Sequence, residues 1–257
     1  MKNAMKISLI TVCRNSASTI ENCIQSATNQ NYPHLEYIIM DGGSTDGTVD
    51  IIKKYQNRIT YWISEKDRGI FHAMNKGLQR ASGDIIGFIN ADDFFASDDV
   101  LSEISAALEN TDYDGVYSDL IYVDQHDADR TVRYWKSGEF SKKKMRFGWF
   151  PPHPTLYFRK SVYDRLGFFD DRMKMAADYD LMVRFLYQGN LRMKYLPFVS
   201  AKMRMGGVSN RNITSIIRSL KEFAGVWKKN GLQKPPFLIS NTLLFRFFQL
   251  IRSQCHK

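Results

Sequence analysis

The chain has 257 residues, a net charge of +9 and 44% hydrophobic residues, the composition of a globular protein large enough to bury a sizeable core. No run approaches the roughly 18 apolar residues that a membrane-spanning helix needs, and the N-terminus lacks the small-residue cleavage site of a secretory signal. Three cysteines without a CxxC pair favour a reduced compartment. We therefore do not expect a disulfide-stapled mini-protein, a disordered chain or an integral membrane protein.

The charge is unevenly distributed along the chain. Residues 1–130 contain 11 Lys and Arg against 20 Asp and Glu, whereas residues 131–257 contain 25 against 7. This asymmetry indicates metal or phosphate chemistry in the first half and an anionic partner for the second half. Solvated surface charge is the alternative interpretation.

Strand-length apolar runs alternate with helical periods through the first hundred residues. This alternation is typical of a parallel sheet with helices on both faces, and ligands of such sheets bind beyond the carboxyl ends of the strands. The pattern predicts strands at 7–12, 37–40, 61–64 and 85–89, and helices at 18–28, 48–55 and 70–81.

After residue 114 the pattern loosens into short, aromatic-rich strands. A basic loop at Lys142, Lys143 and Lys144 and a glycine-bearing turn at residues 206–209 interrupt it. We expect strands at 115–118, 120–123, 131–135, 155–159 and 193–199, a helix at 178–187 and a long amphipathic helix at 213–229.

Acidic residues recur where the predicted strands end. Asp41 follows the second strand, Asp67 the third, and Asp92 and Asp93 the fourth. One such residue alone is better explained as a helix cap, but recurrence at three strand ends favours a polar ligand. Adjacent carboxylates at a buried strand end repel each other, and a divalent cation relieves that cost. Because such a cation completes its shell with water and substrate phosphates, the pattern indicates a nucleotide diphosphate bound through Mn²⁺ or Mg²⁺.

Eight motifs in order make the chain resemble the family 2 glycosyltransferases of GT-A fold over residues 7–209. The resemblance implies an α/β fold with a single Rossmann-like, mostly parallel sheet, and a helical extension after it. The motifs are Thr11-Val12-Cys13-Arg14-Asn15, Asp41-Gly42-Gly43-Ser44-Thr45-Asp46-Gly47-Thr48, Asp67-Arg68-Gly69, Ala73-Met74-Asn75-Lys76-Gly77, Ala81-Ser82-Gly83-Asp84, Asn90-Ala91-Asp92-Asp93, Ala177-Asp178-Tyr179-Asp180 and Gly206-Gly207-Val208-Ser209.

The resemblance also implies a nucleotide-sugar donor, most often a uridine diphosphate (UDP) sugar, and inversion at the anomeric carbon. It places Thr11 and Arg14 in the nucleotide pocket and makes Asp41 an acceptor for a hydrogen bond from the base. It puts Asp67 and Asn75 at the base or the ribose.

Asp92 and Asp93 match the end of the family's DXD-type motif, which engages ribose and the metal-bound diphosphate. The first acidic position of that motif is Asn90, a neutral and weaker ligand, so metal contact should fall on Asp92 or Asp93. Asn90 also motivates the alternative function, a nucleotide-binding GT-A-like protein without transferase activity.

Asp178 matches the family's catalytic base. Inverting transfer needs a carboxylate within hydrogen-bond reach of the acceptor hydroxyl, and the start of a helix would keep that carboxylate ionised. A helix N-cap is the alternative role for Asp178, and Asp180 is interpreted as structural. His153 and Trp149 are candidate acceptor contacts, with core packing as the alternative for both.

The last forty residues contain eight Lys and Arg, a single acid at Glu222, and an apolar stretch at 243–252. These features suit an interfacial helix on an anionic leaflet; packing on the domain or a homodimer contact is the alternative. Family polymerases that extrude chains carry a QxxRW motif, and the sequence that begins at Gln249 lacks its Trp. Transfer of one sugar is therefore expected.

We predict a catalytic domain at 1–210, with a nucleotide-binding half at 1–110 and an acceptor half at 111–210, and a basic extension at 211–257. The expected function is inverting, metal-dependent transfer to a polyprenyl-diphosphate-linked or saccharide acceptor in bacterial O-antigen, capsule or exopolysaccharide biosynthesis. The expected location is cytoplasmic, on the inner face of the membrane. No nucleic-acid motif is recognised, and neither GxGxxG nor a Walker A loop occurs.

Overall fold

Nine strands form one sheet in the computed structural model, which describes residues 4–206 and 213–242. Residues 207–209 of the predicted turn, the predicted domain boundary at 210 and the apolar stretch at 243–252 lie outside the described residues. The strands are β1 (Ile7–Cys13), β2 (Leu35–Asp41), β3 (Tyr61–Ser64), β4 (Ile85–Phe88), β5 (Phe94–Phe95), β6 (Gly115–Val123), β7 (Thr131–Trp135), β8 (Tyr157–Arg159) and β9 (Met193–Arg204).

Helices pack on both faces of this sheet. No described helix is both long enough and apolar enough to cross a membrane. The helices are α1 (Ile20–Thr28), α2 (Thr48–Lys54), α3 (Ile70–Arg80), α4 (Val100–Leu108), α5 (Lys142–Arg146), α6 (Lys160–Leu166), α7 (Ala177–Met182) and α8 (Ile213–Lys229).

The first four strands are parallel and lie in the order β3-β2-β1-β4. Successive β1 side chains enter different cores, because side chains alternate between the faces of a strand. Ile10 packs in one core with Phe71 of α3, and Leu9 packs in the other with Ile24 of α1. Burial on both faces explains why these strands are almost continuously apolar in sequence.

The rest of the sheet is mixed and continues in the order β8-β6-β9-β5, with β7 paired to β6. Strand β8 is antiparallel to β4 and β6, whereas β9 is parallel to β6 and antiparallel to β5. A Cβ atom at Gly87 would lie 2.0 Å from the Tyr157 ring, so β4 and β8 approach closely because position 87 has no side chain. The predicted α/β class is confirmed, and the predicted parallel arrangement holds for the strands before residue 90.

Several predicted elements change in the second half. The two strands predicted at 115–118 and 120–123 are the single strand β6, whose pairing shifts register at Ser118 and Asp119. The predicted basic loop at Lys142 begins helix α5, and α4 and α6 were not predicted. The helix predicted at 178–187 is α7 followed by a π-helical segment, Val183–Gln188.

Candidate active site

A buried carboxylate joins three strand ends at the carboxyl edge of the parallel sheet. Cys13, Asp41 and Ser64 are register partners at the ends of β1, β2 and β3. Asp41 is 2% exposed and accepts hydrogen bonds from the Ser64 hydroxyl at 2.6 Å and the Cys13 thiol at 3.5 Å. It also accepts from the Gly43 and Ser44 backbone N–H groups, at 3.1 and 2.9 Å, and from the Ser44 hydroxyl. The carboxylate therefore fixes the loop after β2 to both neighbouring strands.

Burial by itself would raise the pKa of Asp41, but its hydrogen bonds from Ser44 and Ser64 outweigh that effect and hold the pKa below its ordinary value. The group is thus an ionised acceptor with five internal donors. Its predicted hydrogen bond to a base stays a prediction. In this structure its oxygens are engaged by the protein.

The loop after β1 is hydrogen bonded to the loop after β2. Asn15, with φ at 51°, donates its backbone N–H to the Ser44 hydroxyl at 2.7 Å, and its side-chain oxygen accepts from the Thr45 N–H at 3.0 Å. Asp46 accepts from the Ala17 N–H at 3.0 Å. Asn tolerates the left-handed conformation better than most residues. Asn15 can therefore hold the backbone turn from which it hydrogen bonds to the loop after β2.

Arg14 and Asp67 flank Gly42 at this edge. A Cβ atom at Gly42 would lie 2.4 Å from Asp67 Oδ2 and 3.5 Å from the Arg14 Cβ, so a side chain there would push them apart. Arg14 is exposed and Asp67 is half-buried. Asp67 Oδ1 accepts from the Gly69 N–H at 2.7 Å, which sets the turn into α3. Two of the predicted nucleotide residues therefore lie together at an accessible site.

Two further predicted nucleotide residues, Thr11 and Asn75, make internal contacts. The Thr11 side chain is fully buried, with its hydroxyl 3.1 Å from the Tyr37 hydroxyl. The Asn75 amide donates to the Phe169 backbone oxygen at 2.9 Å and accepts from the Phe169 N–H at 3.0 Å. Thr11 thus supports the end of β1 from the core, and Asn75 joins α3 to the second half of the chain.

The acidic pair lies between β4 and β5. Asp93 is fully buried, its Oδ2 accepts from the Asn90 amide at 2.8 Å, and its Oδ1 has no hydrogen-bond partner. Burial raises the pKa of Asp93 well above its ordinary value, and the neighbouring Asp92 carboxylate raises it further. Asp92 is half-buried. Asn90 therefore serves as a donor that orients Asp93.

The donor set at this pair fits one divalent cation. Hard cations such as Mg²⁺ are bound through one or two carboxylates plus substrate phosphates. The unpartnered Oδ1 of Asp93 and the adjacent Asp92 carboxylate provide this donor type. Within residues 4–206 and 213–242, no group of three or more His, Cys, Asp or Glu side chains could hold a metal ion. Further ligands to a cation here would come from substrate phosphates and water.

Asp178 lies near the end of β4, on the second residue of α7. The α7 N-cap is Ala176, so the N-cap role considered for Asp178 is not what the structure shows. Asp178 Oδ1 accepts from the Tyr179 N–H at 2.7 Å, and its side chain is half-buried. Its negative charge acts on His153, whose ring packs 5.8 Å from the ring of Phe88, the last residue of β4.

His153 and Trp149, the candidate acceptor contacts, differ in position. Burial lowers the pKa of His153, opposed by the Asp178 charge, so the ring is neutral at pH 7. Trp149 is 8% exposed, and its indole N–H donates to the Ser137 oxygen at 3.0 Å. The packing alternative therefore describes Trp149, whereas His153 borders the candidate base.

Two contributions to this site were missing from the sequence analysis. Ser64 is the end of a correctly predicted strand, but its role depends on the register that sets it beside Asp41. Glu222 was noted only as the single acid of a basic tail, and it contacts the segment before Asp178. The sequence signals that could have identified them are a serine at the end of a predicted strand and a single acid on a basic helix.

Three features are typical of a GT-A glycosyltransferase: a parallel half-sheet, polar loops at its carboxyl edge and an acidic pair after β4. The chain matches the sequence profile described as Glycosyl transferase family 2 over residues 8–169, and it belongs to that family. The predicted family, fold and enzyme class are thereby confirmed.

Relatives and solved structures agree with this assignment. The chain is 28% identical over 212 residues to the "PGL/p-HBAD biosynthesis glycosyltransferase" of Mycobacterium bovis, covering 80% of each chain. It superposes with a TM-score of 0.67 and 19% identity on S. aureus TarS in complex with UDP-GlcNAc, covering 88% of this chain and 65% of that one. It superposes with a TM-score of 0.66 and 20% identity on mannosyltransferase PcManGT from Pyrobaculum calidifontis, in complex with GDP-Man and Mn²⁺. That match covers 95% of this chain and 70% of the mannosyltransferase chain.

Replacing Asp41 should destabilise the fold in a pH-dependent way. At pH 7 we expect Asp41→Asn to lower the free energy of unfolding by about 1–3 kcal/mol, because it leaves buried donors unsatisfied. The pKa of Asp41 lies below its ordinary 3.8, so its contribution is full above about pH 4 and fades as the pH falls through the folded-state value. Urea unfolding at neutral and acidic pH measures the difference.

The matched control is Asp50→Asn, because the Asp50 side chain on α2 is 83% exposed. We expect it to change the free energy of unfolding by less than about 0.5 kcal/mol at every pH. A deficit of Asp41→Asn that stays constant or grows toward acid would contradict the assignment of Asp41 as an ionised acceptor.

Proposed function

We propose that this protein is an inverting, metal-dependent glycosyltransferase that moves one sugar from a UDP-sugar to a polyprenyl-diphosphate-linked or saccharide acceptor in bacterial cell-surface polysaccharide synthesis. The observation that carries the proposal is that the acidic pair and Asp178 are both linked to the end of β4. The acidic pair follows β4 directly, and Asp178 reaches the same strand end through His153 and Phe88.

We assign the donor site to the carboxyl edge around Arg14, Asp41 and Asp67. Arg14 is exposed there and carries the positive charge that a diphosphate requires. Asp67 is accessible beside Gly42 for the base or the ribose, and Asp41 shapes the loop between them. The nucleotide-sugar complexes of TarS and PcManGT, which share the fold, support a donor of this class.

Between the two acidic residues, we assign the principal metal contact to Asp92. Asp92 is half-buried and therefore more accessible to a cation than Asp93, which is fully buried and held by Asn90. When bound, a Mn²⁺ or Mg²⁺ ion neutralises the charge that develops on the leaving diphosphate. In this assignment the Oδ1 atom of the buried Asp93 is a second carboxylate oxygen for the cation.

We assign the catalytic base to Asp178. It accepts the proton of the acceptor hydroxyl while that oxygen forms a bond to the anomeric carbon. The bond from that carbon to the diphosphate oxygen breaks, and its electron pair leaves with the nucleoside diphosphate. Attack on the face opposite the leaving group inverts the anomeric configuration. Because burial lowers the pKa of His153, its ring is a weaker base than a free imidazole, which favours Asp178 as the proton acceptor.

Replacing the base should abolish transfer without loss of donor binding. We expect Asp178→Asn to lower kcat about 10²–10⁴-fold, the usual contribution of general base catalysis, while the midpoint of thermal unfolding with UDP and Mn²⁺ stays unchanged. Released UDP and glycosylated product provide the kinetic measurement. Asp164→Asn, an exposed acid on α6, is the control. Wild-type turnover of Asp178→Asn would refute the assignment.

The metal site can be tested through binding alone. UDP at about a hundred times its Kd should raise the free energy of unfolding by about 2.7 kcal/mol, and we expect this gain to require Mn²⁺ or Mg²⁺ and to disappear with EDTA. Asp92→Asn should lose the metal-dependent part of the gain, whereas the exposed control Asp99→Asn should keep it. A full gain in EDTA would favour metal-independent nucleotide binding, and binding without turnover would favour the alternative of an inactive binder.

We further propose that a basic aromatic surface, formed by the acceptor half and the C-terminal extension, faces an anionic membrane. Phe147 and Phe237 are 54% and 78% exposed. The segments that carry them touch, because Thr242 donates to the Gly148 oxygen at 3.2 Å. Lys143 of α5 is exposed, and Phe147 directly follows the end of that helix. Aromatic side chains with adjacent lysines are the composition of interfacial membrane contacts.

Vesicle flotation tests this surface. The wild type should float with phosphatidylglycerol-containing vesicles and much less with pure phosphatidylcholine, and high salt should release it. Lys143→Gln should weaken binding about fivefold, from roughly 1 kcal/mol per near-surface lysine, whereas Lys53→Gln, an exposed lysine on α2, should not. Equal flotation with both lipids, or equal effects of the two lysines, would refute the surface.

A further inference from the structure

Helix α8 contacts the segment that leads into α7, where Asp178 lies. The Glu222 carboxylate accepts hydrogen bonds from three consecutive backbone N–H groups, those of Lys174, Met175 and Ala176. The distances are 3.2, 2.8 and 3.1 Å. Ala176 is the α7 N-cap, so Glu222 holds the backbone up to two residues before Asp178.

The residue after Asp178 is also held by α8. The Tyr179 ring is stacked on the Phe223 ring, with centroids 3.9 Å apart, and its hydroxyl accepts from the Trp227 indole N–H at 2.8 Å. Trp227 is fully buried. Phe150 packs against both Tyr179 and Phe223, which closes the aromatic cluster.

Asp180 completes the contact from the other end of α8. Its buried carboxylate accepts from the Lys229 ammonium at 2.7 Å and the Asn230 amide at 2.8 Å, as well as from Arg184 at 3.0 Å. Asp178 therefore lies between two stretches of backbone that α8 fixes, while its own side chain remains half-buried.

Helix α7 needs such external support. It has six residues and no side-chain N-cap hydrogen bond, and it passes directly into the π-helical segment Val183–Gln188. An isolated helix of that length is unstable, and its first N–H groups lack partners within the helix. A carboxylate close to the start of the helix provides acceptors to that segment and a favourable charge at the positive end of the dipole.

We propose that Glu222 is a positioning residue for the base, with α8 acting as a clamp that sets where Asp178 meets the acceptor hydroxyl. This inference rests on the proposed role of Asp178. Displacing a reacting group by about 1 Å can cost 10²-fold in rate. Loss of the clamp therefore lowers kcat by acting on Asp178 and leaves the donor site at the other strand ends intact.

The test compares Glu222→Ala, Glu222→Gln and the control Lys221→Ala, an exposed neighbour on the same helix. Each is made in the wild type and in Asp178→Asn. Nucleoside diphosphate release is measured from UDP-GlcNAc, UDP-glucose and GDP-mannose with Mn²⁺, using water or an alkyl glycoside as acceptor. Hydrogen exchange of the individual backbone amides of residues 174–182 is measured on the same proteins without substrate.

We expect Glu222→Ala to lower kcat about 10–100-fold, with the donor KM changed less than about threefold. In the Asp178→Asn background the same change should cost less than about twofold, because a residue acting through Asp178 has nothing left to position. Glu222→Gln keeps one carbonyl acceptor and should retain most of the rate. Exchange at 174–176 should accelerate in Glu222→Ala and not in Lys221→Ala.

An equal loss in both backgrounds, or a loss confined to KM, would overturn the positioning role and leave a purely structural one. Unchanged exchange at 174–176 would overturn the clamp itself. Failure of the proposed function looks different: Asp178→Asn alone would retain wild-type turnover, or the wild type would release nucleoside diphosphate from no donor. In either case hydrogen exchange still decides whether Glu222 orders the segment.

Discussion

The site depends on one buried ionised group, the Asp41 carboxylate. Removing a carboxylate from water is costly unless donors replace its hydration, and here five donors from two neighbouring strand ends and one loop do so. Because these donors converge only when β1, β2 and β3 are in register, the carboxylate couples strand register to loop shape. The positions of Arg14 and Asp67 beside Gly42 follow from that coupling.

A second constraint joins the first half of the chain to the second half. The antiparallel pairing of β4 with β8 brings residues of the second half against the edge of the parallel sheet. Asn75 then fixes the Phe169 backbone, and the Phe169 ring packs against Phe88 and His153. The acidic pair and Asp178 are therefore related through a packed aromatic cluster, which is less compressible and more exact in geometry than a loop contact.

The sequence predicted the first half closely and the second half less well. Periodicity located β1 to β4 because buried parallel strands are short apolar runs, and the acids at their ends could be predicted to meet. The hydrogen bonds of Asp41 and Asn75 could not, since they depend on register and on residues far along the chain. Trp149 illustrates the same limit, because an aromatic residue has the same sequence signature in a core as at a sugar-binding surface. The family resemblance, in contrast, singled out Asp178, whose charge acts on the His153 ring packed against the end of β4.

The pairing of β5 with β9 has a consequence for the order in which the protein is assembled during synthesis. Strands β1 to β4 find all their parallel partners within the first 88 residues. Strand β5, which directly follows Asp93, pairs Phe94 with Lys202, more than one hundred residues later. At about 5–20 residues per second, the ribosome takes roughly 5–20 s to make that intervening chain. The parallel half-sheet can therefore form during synthesis, whereas the segment that carries the acidic pair is fixed to its partner strand only after residue 202 has been made.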